Sequence, residues 1–388
     1  MSGARLAETG SSAFELSVVI PCLDEADTLG LCLDKARRGL LAAGVAGEIV
    51  VADNGSTDGS QEIARARGAR VVAVSERGYG SALMAGIEAS RGKYVVMGDA
   101  DDSYDFGEIP RFVEALRGGL ELVQGCRLES GGGRVLPGAM PWLHRAFGNP
   151  LFSRLARWWF RARVHDVYCG LRGFTRELYD RLDQRCTGME FATEMIIKAS
   201  LAGARVGEVP ITLHPDGRRT HPPHLRTFRD GWRTLRFFLI FSPRWLFLVP
   251  GLAVMALGAL GFALVMPGFS VGGVRFDAHT LLFASLAVIV GYQSVLFAVM
   301  TKVFAIGEGL LPRDARMERV FRRITLEKGL LAGAAATLVG AALLAGAVLE
   351  WKAAGFGALD YAHTMRRVIP GVTFSVLGVQ TVLSLIHI

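Results

Sequence analysis

The chain has 388 residues, 51% of them hydrophobic, and a formal net charge of +7. That length leaves room for two or three domains, and the apolar excess is uneven: charged and apolar segments alternate in the first half, whereas long uncharged runs fill the region after Trp245. The arginines gather beside those runs, which favours a membrane surface over nucleic acid as the reason for the positive charge.

Residues 1–14, rich in Ser, Gly and Ala with no apolar signal-type segment, are expected to be a disordered tail. Leu16 to Ile20 is a β-branched run stopped by Pro21 and reads as a first strand. The acidic turn Cys22-Leu23-Asp24-Glu25 then leads into a helix ending near Gly44. Glu48 to Ala52 is a second strand, and the small polar turn Asp53-Asn54-Gly55-Ser56-Thr57-Asp58 opens the next helix. Arg70 to Val74 makes a third strand, and Gly78-Tyr79-Gly80 starts a helix whose bare N–H groups suit a phosphate or sugar hydroxyl. Tyr94 to Met97 is a buried strand that runs into Gly98-Asp99-Ala100-Asp101-Asp102-Ser103. Strands alternating with helices, with ligand-type turns at the strand C-termini, predict an α/β doubly wound, mostly parallel sheet.

Three carboxylates at the end of a buried strand repel one another unless a cation sits among them. Asp-x-Asp suits Mg²⁺ or Mn²⁺, which accepts one or two carboxylates and completes its shell with phosphates and water. A helix cap or plain acidic turn is the competing reading. Asp53 likewise stands where acidic residues meet a nucleoside, or else caps its own helix. The chain holds neither a Gly-x-x-x-x-Gly-Lys nor a Gly-x-Gly-x-x-Gly after the first strand, against a P-loop ATPase and a nicotinamide enzyme. Cys22, Cys32, Cys126, Cys169 and Cys186 show no Cys-x-x-Cys spacing and read as reduced thiols of a cytoplasmic domain.

Val19-Ile20-Pro21 with Asp24-Glu25, then Asp53 to Asp58, Gly78-Tyr79-Gly80 and Asp99-Ala100-Asp101, resemble family-two glycosyltransferases of the GT-A fold. Among these the chain most resembles polyprenyl-phosphate sugar synthases of the dolichyl-phosphate mannose or glucose type, over about residues 15–225. The resemblance implies a nucleotide-sugar donor, a polyprenyl phosphate acceptor and Mg²⁺ or Mn²⁺. It places Pro21, Asp24, Glu25, Asp53, Gly78, Tyr79, Gly80, Asp99 and Ala100 on the donor, with Asp101, Asp99 and Ser103 at the metal. Ser103 stands where many relatives carry Gln. Gln124-Gly125-Cys126-Arg127 is similar to the family's Gly-x-Arg, which sets Arg127 before the acceptor phosphate. Asp166, ahead of Gly170-Leu171-Arg172-Gly173-Phe174, falls near the reaction centre, and Glu194 of Glu194-Met195 lines the sugar pocket.

Residues 134–163 interleave arginines with Trp142, Phe147, Trp158, Trp159 and Phe160; a headgroup-boundary helix and an amphipathic core helix both fit. Arg218 and Arg219 are expected to close over the diphosphate, as positive charge does for a leaving group. The nearby histidines lack the spacing of a metal pair.

Arg226, Arg229, Arg233 and Arg236 recur at helical spacing among aromatics, predicting a juxtamembrane amphipathic helix over 226–244. Trp245–Met266, Leu281–Met300, Gly329–Leu349 and Val368 to the end are four candidate spans of a helical membrane domain, 245–388. The basic residues between the second and third spans put the catalytic domain on the cytoplasmic side of a cell (inner) membrane. The sequence closes on Ile386-His387-Ile388 inside the fourth run without a basic flank, the pattern of a truncated terminus.

The expected activity is inverting hexose transfer to polyprenyl phosphate, with Asp101, Asp166, Arg127 and Glu194 at the reaction centre. A phosphate nucleophile, mostly dianionic at neutral pH, needs placement more than proton removal. The rival is a membrane polysaccharide synthase, whose Gln-x-x-Arg-Trp is broken by Phe241 ahead of Arg244-Trp245. A lapsed nucleotide-sugar sensor is a third reading, and a homo-oligomer stays open.

Overall fold

The computed structural model describes residues 14–218, 227–268, 270–271, 274–308, 311, 314–323 and 325–385. The expected tail, Arg219 and the closing Ile386-His387-Ile388 lie outside the described residues. Two compact units meet in sequence between Phe238 and Leu239.

In the first unit the elements alternate as the sequence predicts: β1 (Phe14–Cys22), α1 (Leu29–Ala42), β2 (Gly47–Asp53), α2 (Ser60–Ala66), β3 (Arg70–Ala73), α3 (Tyr79–Ala89), β4 (Gly92–Met97), α4 (Ile109–Arg117) and β5 (Leu122–Cys126). After the short β6 (Arg134–Val135) come α5 (Asn149–Phe160), β7 (Arg172–Thr175), α6 (Arg176–Leu182), α7 (Phe191–Leu201), β8 (Val206–Pro210), β9 (Thr212–Leu213) and α8 (Thr227–Ile240). The main sheet runs β3-β2-β1-β4-β7-β5-β8. Every neighbouring pair is parallel except those of β7, which runs antiparallel to both β4 and β5.

Burial on both faces explains the continuous apolar runs of the central strands. Leu16, Val18, Val19 and Ile20 of β1 and Val95, Val96 and Met97 of β4 are fully buried. α3 lies close against β1, since a Cβ on Gly86 would come within 2.7 Å of Val19 Cγ1. The strand order reverses at β1, between β2 and β4, so the crevice beyond the carboxyl ends of β1 and β4 is the switch point where open α/β sheets bind ligands. Cys22 pairs in register with Asp53, and Val19 with Met97, which brings the three turns after β1, β2 and β4 to that one edge.

The aromatic segment divides its residues. Phe160 is buried, and Phe238 from α8 packs edge-on against it at 5.4 Å between ring centroids. Trp142, Phe147 and Trp158 stay exposed.

The second unit holds α9 (Val249–Val265), a small hairpin of β10 (Ser270–Val271) and β11 (Val274–Arg275), α10 (Ala278–Gly307), α11 (Ala315–Arg323), α12 (Leu326–Ala353) and α13 (Tyr361–Leu385). α9 with its preceding turn, α10, α12 and α13 are each long and apolar enough to cross a bilayer. Glycines draw them together in pairs: a Cβ on Gly291 of α10 would meet the Gly251 carbonyl of α9 at 2.6 Å, and one on Gly378 of α13 the Gly333 carbonyl of α12 at 2.5 Å. Small residues at such seams let backbones approach where no hydrophobic force acts between helices in lipid. Hydroxyls join the two pairs, Ser285 to Thr373 at 2.7 Å and Tyr292 to Thr381 at 2.6 Å.

Candidate active site

The turns at the switch point are tied to each other by their own short polar side chains. The Ser56 hydroxyl accepts the Asp24 N–H at 2.9 Å, and Asp24 in turn accepts the Thr57 N–H at 2.8 Å. Asp58 takes the Ala26 N–H at 2.7 Å. Asp24 and Asp102 both adopt left-handed backbone conformations, φ 57° and 61°, a cost that side chains of this kind bear best in ligand turns. Asp102 is held by Lys35 from α1 at 2.7 Å.

Asp53 is almost completely buried and spends its carboxylate locally, on the N–H groups of Gly55 and Ser56 and on Gln61 at 2.7 Å. These bonds close the turn after β2 and do not cap α2, whose N-cap is Gly59 with no side-chain hydrogen bond, so the capping role weighed from sequence is not what Asp53 does. Asn54 extends the frame: its amide donates to the Val74 and Glu76 carbonyls, and its oxygen accepts the Gly78 N–H at 2.8 Å. Gly78 (φ 147°) and Gly80 have to be glycine, because a Cβ on either would sit 2.2 Å from the Thr187 or Cys186 carbonyl.

Asp99, Ala100, Asp101 and Ser103 lie side by side just past β4, with Pro21 at the neighbouring end of β1. Tyr79 at the head of α3 donates its hydroxyl to Asp99 at 2.8 Å. Desolvation, and then the charge of Asp101, push the Asp99 carboxyl up to about 7. Asp101 accepts both the hydroxyl of Ser103, at 2.6 Å, and its N–H. Its other oxygen lies 3.4 Å from the Arg218 guanidinium, which also grips Glu25 at 2.8 Å and Asp216 at 3.1 Å. The segment carrying Arg218 is pinned by the Gly217 N–H to the Asp101 carbonyl at 3.0 Å and by the His214 N–H to the Ser103 carbonyl at 2.9 Å. Arg218 thus occupies the cationic position that the carboxylates demand.

Among the described residues no three His, Cys, Asp or Glu side chains gather into a complete metal cage. Two hard carboxylates beside a hydroxyl, one with its proton affinity raised by burial and then by the other, nevertheless fit Mg²⁺ or Mn²⁺, whose shell is completed by substrate phosphates.

A second cluster stands beside this one. Arg127, at the end of β5, forms a two-pronged pair with fully buried Asp166, Nε to Oδ2 at 2.7 Å and Nη2 to Oδ1 at 2.9 Å. Burial opposes the charge on Arg127, but Asp166 outweighs it and holds the guanidinium firmly protonated. Its remaining nitrogen reaches the Tyr104 hydroxyl at 3.3 Å, and that hydroxyl accepts the Gly170 N–H at 2.9 Å. A Cβ on Gly170 would lie 2.6 Å from Asp99 Oδ2, so Tyr104 and Gly170 connect the acidic turn to the arginine pair. Arg127 also borders a cavity of about 500 Å³ lined by Arg145, Arg154, Arg157, His165 and Trp142.

Glu194 does not join these groups. Buried on α7, it accepts Lys198 at 2.8 Å and the Cys186 N–H at 2.9 Å. That fixes residues 185–187, the segment packed on Gly78 and Gly80. The sequence reading gave no role to Tyr104 or to Gln124, which donates to the Asp166 and Cys169 carbonyls. The one available signal was an aromatic, Tyr104, two residues past Asp102.

A GT-A-type sheet with an acidic turn at its switch point, followed by four apolar helices, defines a membrane-bound glycosyltransferase. The chain belongs to glycosyltransferase family 2: residues 17–183 match the glycosyl transferase family 2 model, and residues 299–388 the glycosyltransferase family 2 C-terminal transmembrane region. It is 38% identical to the low-salt glycan biosynthesis hexosyltransferase Agl6 of Haloferax volcanii, over 89% of this chain and 82% of that protein. It is 36% identical to a dolichyl-phosphate hexose transferase of the same organism, over 56% of this chain and 89% of the relative. A solved glucosyl-3-phosphoglycerate synthase from Mycobacterium tuberculosis, in complex with Mn²⁺, UDP and its product, superposes with a TM-score of 0.45 at 23% identity, covering 58% and 79% of the two chains.

Proposed function

We propose that this glycosyltransferase moves a hexose, with inversion, from a UDP- or GDP-linked sugar to polyprenyl phosphate at the cytoplasmic face of a cell (inner) membrane. The observation that supports this best is the join through Tyr104 between a carboxylate cradle and an arginine-lined cavity. One side suits a nucleoside diphosphate with its cation, the other a phosphate nucleophile. A dolichyl-phosphate hexose transferase among the relatives agrees with that pairing.

Asp99 and Asp101, with Ser103 beside them, would hold Mg²⁺ or Mn²⁺, which offsets the charge of the departing diphosphate. Arg218, already over Asp101 and Glu25, would add positive charge beside the diphosphate, and Arg219, outside the described residues, is assigned the same role from its place in the sequence. Pro21, Asp24, Glu25, Asp53, Gly78, Tyr79, Gly80 and Ala100 shape the donor crevice. On the acceptor side Arg127 is held rigid by Asp166, while Arg154 and Arg157, one turn apart on α5, supply charge to the cavity. The lipid phosphate, mostly dianionic at neutral pH, attacks the anomeric carbon as the bond to the diphosphate breaks; no side chain has to remove a proton. Glu194 acts by fixing the segment behind Gly78 and Gly80. The exposed Trp142, Phe147 and Trp158, set among arginines, suit a headgroup boundary. The basic residues Arg313, Arg316, Arg319, Arg322 and Arg323 between the second and third spans favour a cytoplasmic position for that connection and for the N-terminal unit.

A panel of labelled nucleotide-sugars, offered to the protein in membranes with dolichyl or undecaprenyl phosphate, tests this. Label that partitions with extracted lipid is the expected result. Label retained in a polymer would instead make the protein a polysaccharide synthase, and no transfer from any donor would defeat both readings.

A further inference from the structure

His165 ends the segment that leads into Asp166, and its ring is held from one side. Glu208 of β8 stands in register with Gln124 of β5. Its carboxylate accepts the His165 N–H at 2.5 Å, the Asp166 N–H at 3.2 Å and the ring Nδ1–H at 2.7 Å. The two backbone bonds already pin the segment. The third fixes the orientation of a side chain that is still 42% exposed. With Nδ1 committed to a carboxylate, Nε2 is the ring atom left for a ligand. His165 lines the arginine-rich cavity, so a ligand there has access to it.

The other donors around that cavity are either spent or loosely held. Arg127 gives Nε and Nη2 to Asp166 and Nη1 to Tyr104, and Glu129 grips Arg145 at 2.6 Å. Arg154 and Arg157 of α5 have no partner among the described residues, but each guanidinium ends a long flexible stem. His165 differs from all four. Its ring is fixed, and it adjoins in sequence the carboxylate that holds Arg127. The charged groups sharing its surroundings are Glu208 from β8, Arg127 from the end of β5, Glu129 with Arg145, and Arg154 and Arg157 from α5. The Cys126 thiol, which packs with His165 around Gly131, is pushed up to about 12 by burial and stays neutral.

We infer that His165 is a further acceptor-binding residue: as imidazolium it donates Nε2–H to one phosphate oxygen of polyprenyl phosphate, while Glu208 bears the opposite charge at Nδ1. This rests on the proposed transfer to a lipid phosphate. The proton stays on the ring and a different oxygen attacks the sugar, so no proton moves during transfer. Histidine changes its charge between pH 5 and 8, whereas arginine keeps its own throughout. The His165 contact therefore strengthens as pH falls.

The test is calorimetric titration of the full-length protein in detergent with a short-chain polyprenyl phosphate, the matching polyprenol serving as control; no sugar donor is needed. The Kd of His165→Gln divided by that of wild type is expected to be roughly ten at pH 6.0 and to shrink toward one at pH 8.5. Taking this ratio cancels the ionisation of the lipid phosphate itself. A side chain that only shaped the loop would weaken binding equally at both pH values. A ratio that is the same at pH 6.0 and 8.5 overturns the inference, and the proposed transfer still stands if the wild type prefers the phosphate to the polyprenol. Absence of that preference in the wild type defeats both. Should His165→Gln fail to fold, His165→Arg decides the matter. Its charge is permanent, so its Kd relative to wild type should rise as pH falls from 8.5 to 6.0, and a constant ratio refutes the role.

Discussion

Asp99 and Asp101 are two residues apart, yet their surroundings give them different tasks. Asp101 keeps one oxygen on Ser103 and turns the other toward Arg218, so it is the carboxylate better poised for a cation. Asp101→Asn is expected to cut lipid-extractable transfer on the order of a hundredfold, with the circular-dichroism spectrum and melting temperature close to wild type. Asp99 is the group whose proton matters. Its folded-state carboxyl is raised to about 7 by desolvation and by Asp101. Between the ordinary carboxylate range and pH 7 the native protein therefore holds this proton more tightly than the unfolded chain does. The contribution is present at low pH and is lost as pH rises through 7. Glu15, Glu48, Asp58 and Glu121 are shifted the other way, downward, so the Asp99 effect has to be isolated by comparison. In chelator, the melting temperature of wild type minus that of Asp99→Asn should fall from pH 4 to pH 7. A flat difference would remove the pH role assigned to Asp99.

At the scale of elements, each turn of the site belongs to a strand end that the alternating pattern already located, but the contacts across turns decide its shape. Gly80 illustrates this. As sequence it is one of a pair of glycines opening a helix; in the fold it is the point where α3 meets residues 186–188. Gly80→Ala should push that segment away, destabilising the protein by about 1–3 kcal/mol and raising the KM for the donor more than it lowers kcat. Unchanged donor kinetics would disconnect the segment from the crevice. β7 is the element hardest to read in advance, being four residues long with a wholly buried Arg172, and periodicity gives no hint that it runs against its neighbours.

Over the whole molecule, charge and hydropathy make a topological prediction. All five native cysteines lie in the first unit, which the proposed topology sets on the cytoplasmic side. An impermeant thiol reagent applied to intact cells should leave the wild type unlabelled, label Ala358→Cys in the α12–α13 connection, and spare Val320→Cys in α11. The reverse pattern would invert the topology.

By itself, the sequence determined the architecture: the alternating strands, the acidic turn after β4 and the four apolar runs each follow from local periodicity or from length against a bilayer. It also carried the family resemblance, since ordered short motifs are local features. The even reading of residues 134–163 as core or surface could only be divided by packing, which buried Phe160 under Phe238 and left Trp158 outside. Tertiary structure alone decided that Arg127 is locked to Asp166 across 39 residues of chain and that Tyr104 links the two clusters. It also turned Glu194 inward to brace a loop. A side chain's partner depends on which strand ends become neighbours in the sheet, and no local pattern encodes that adjacency.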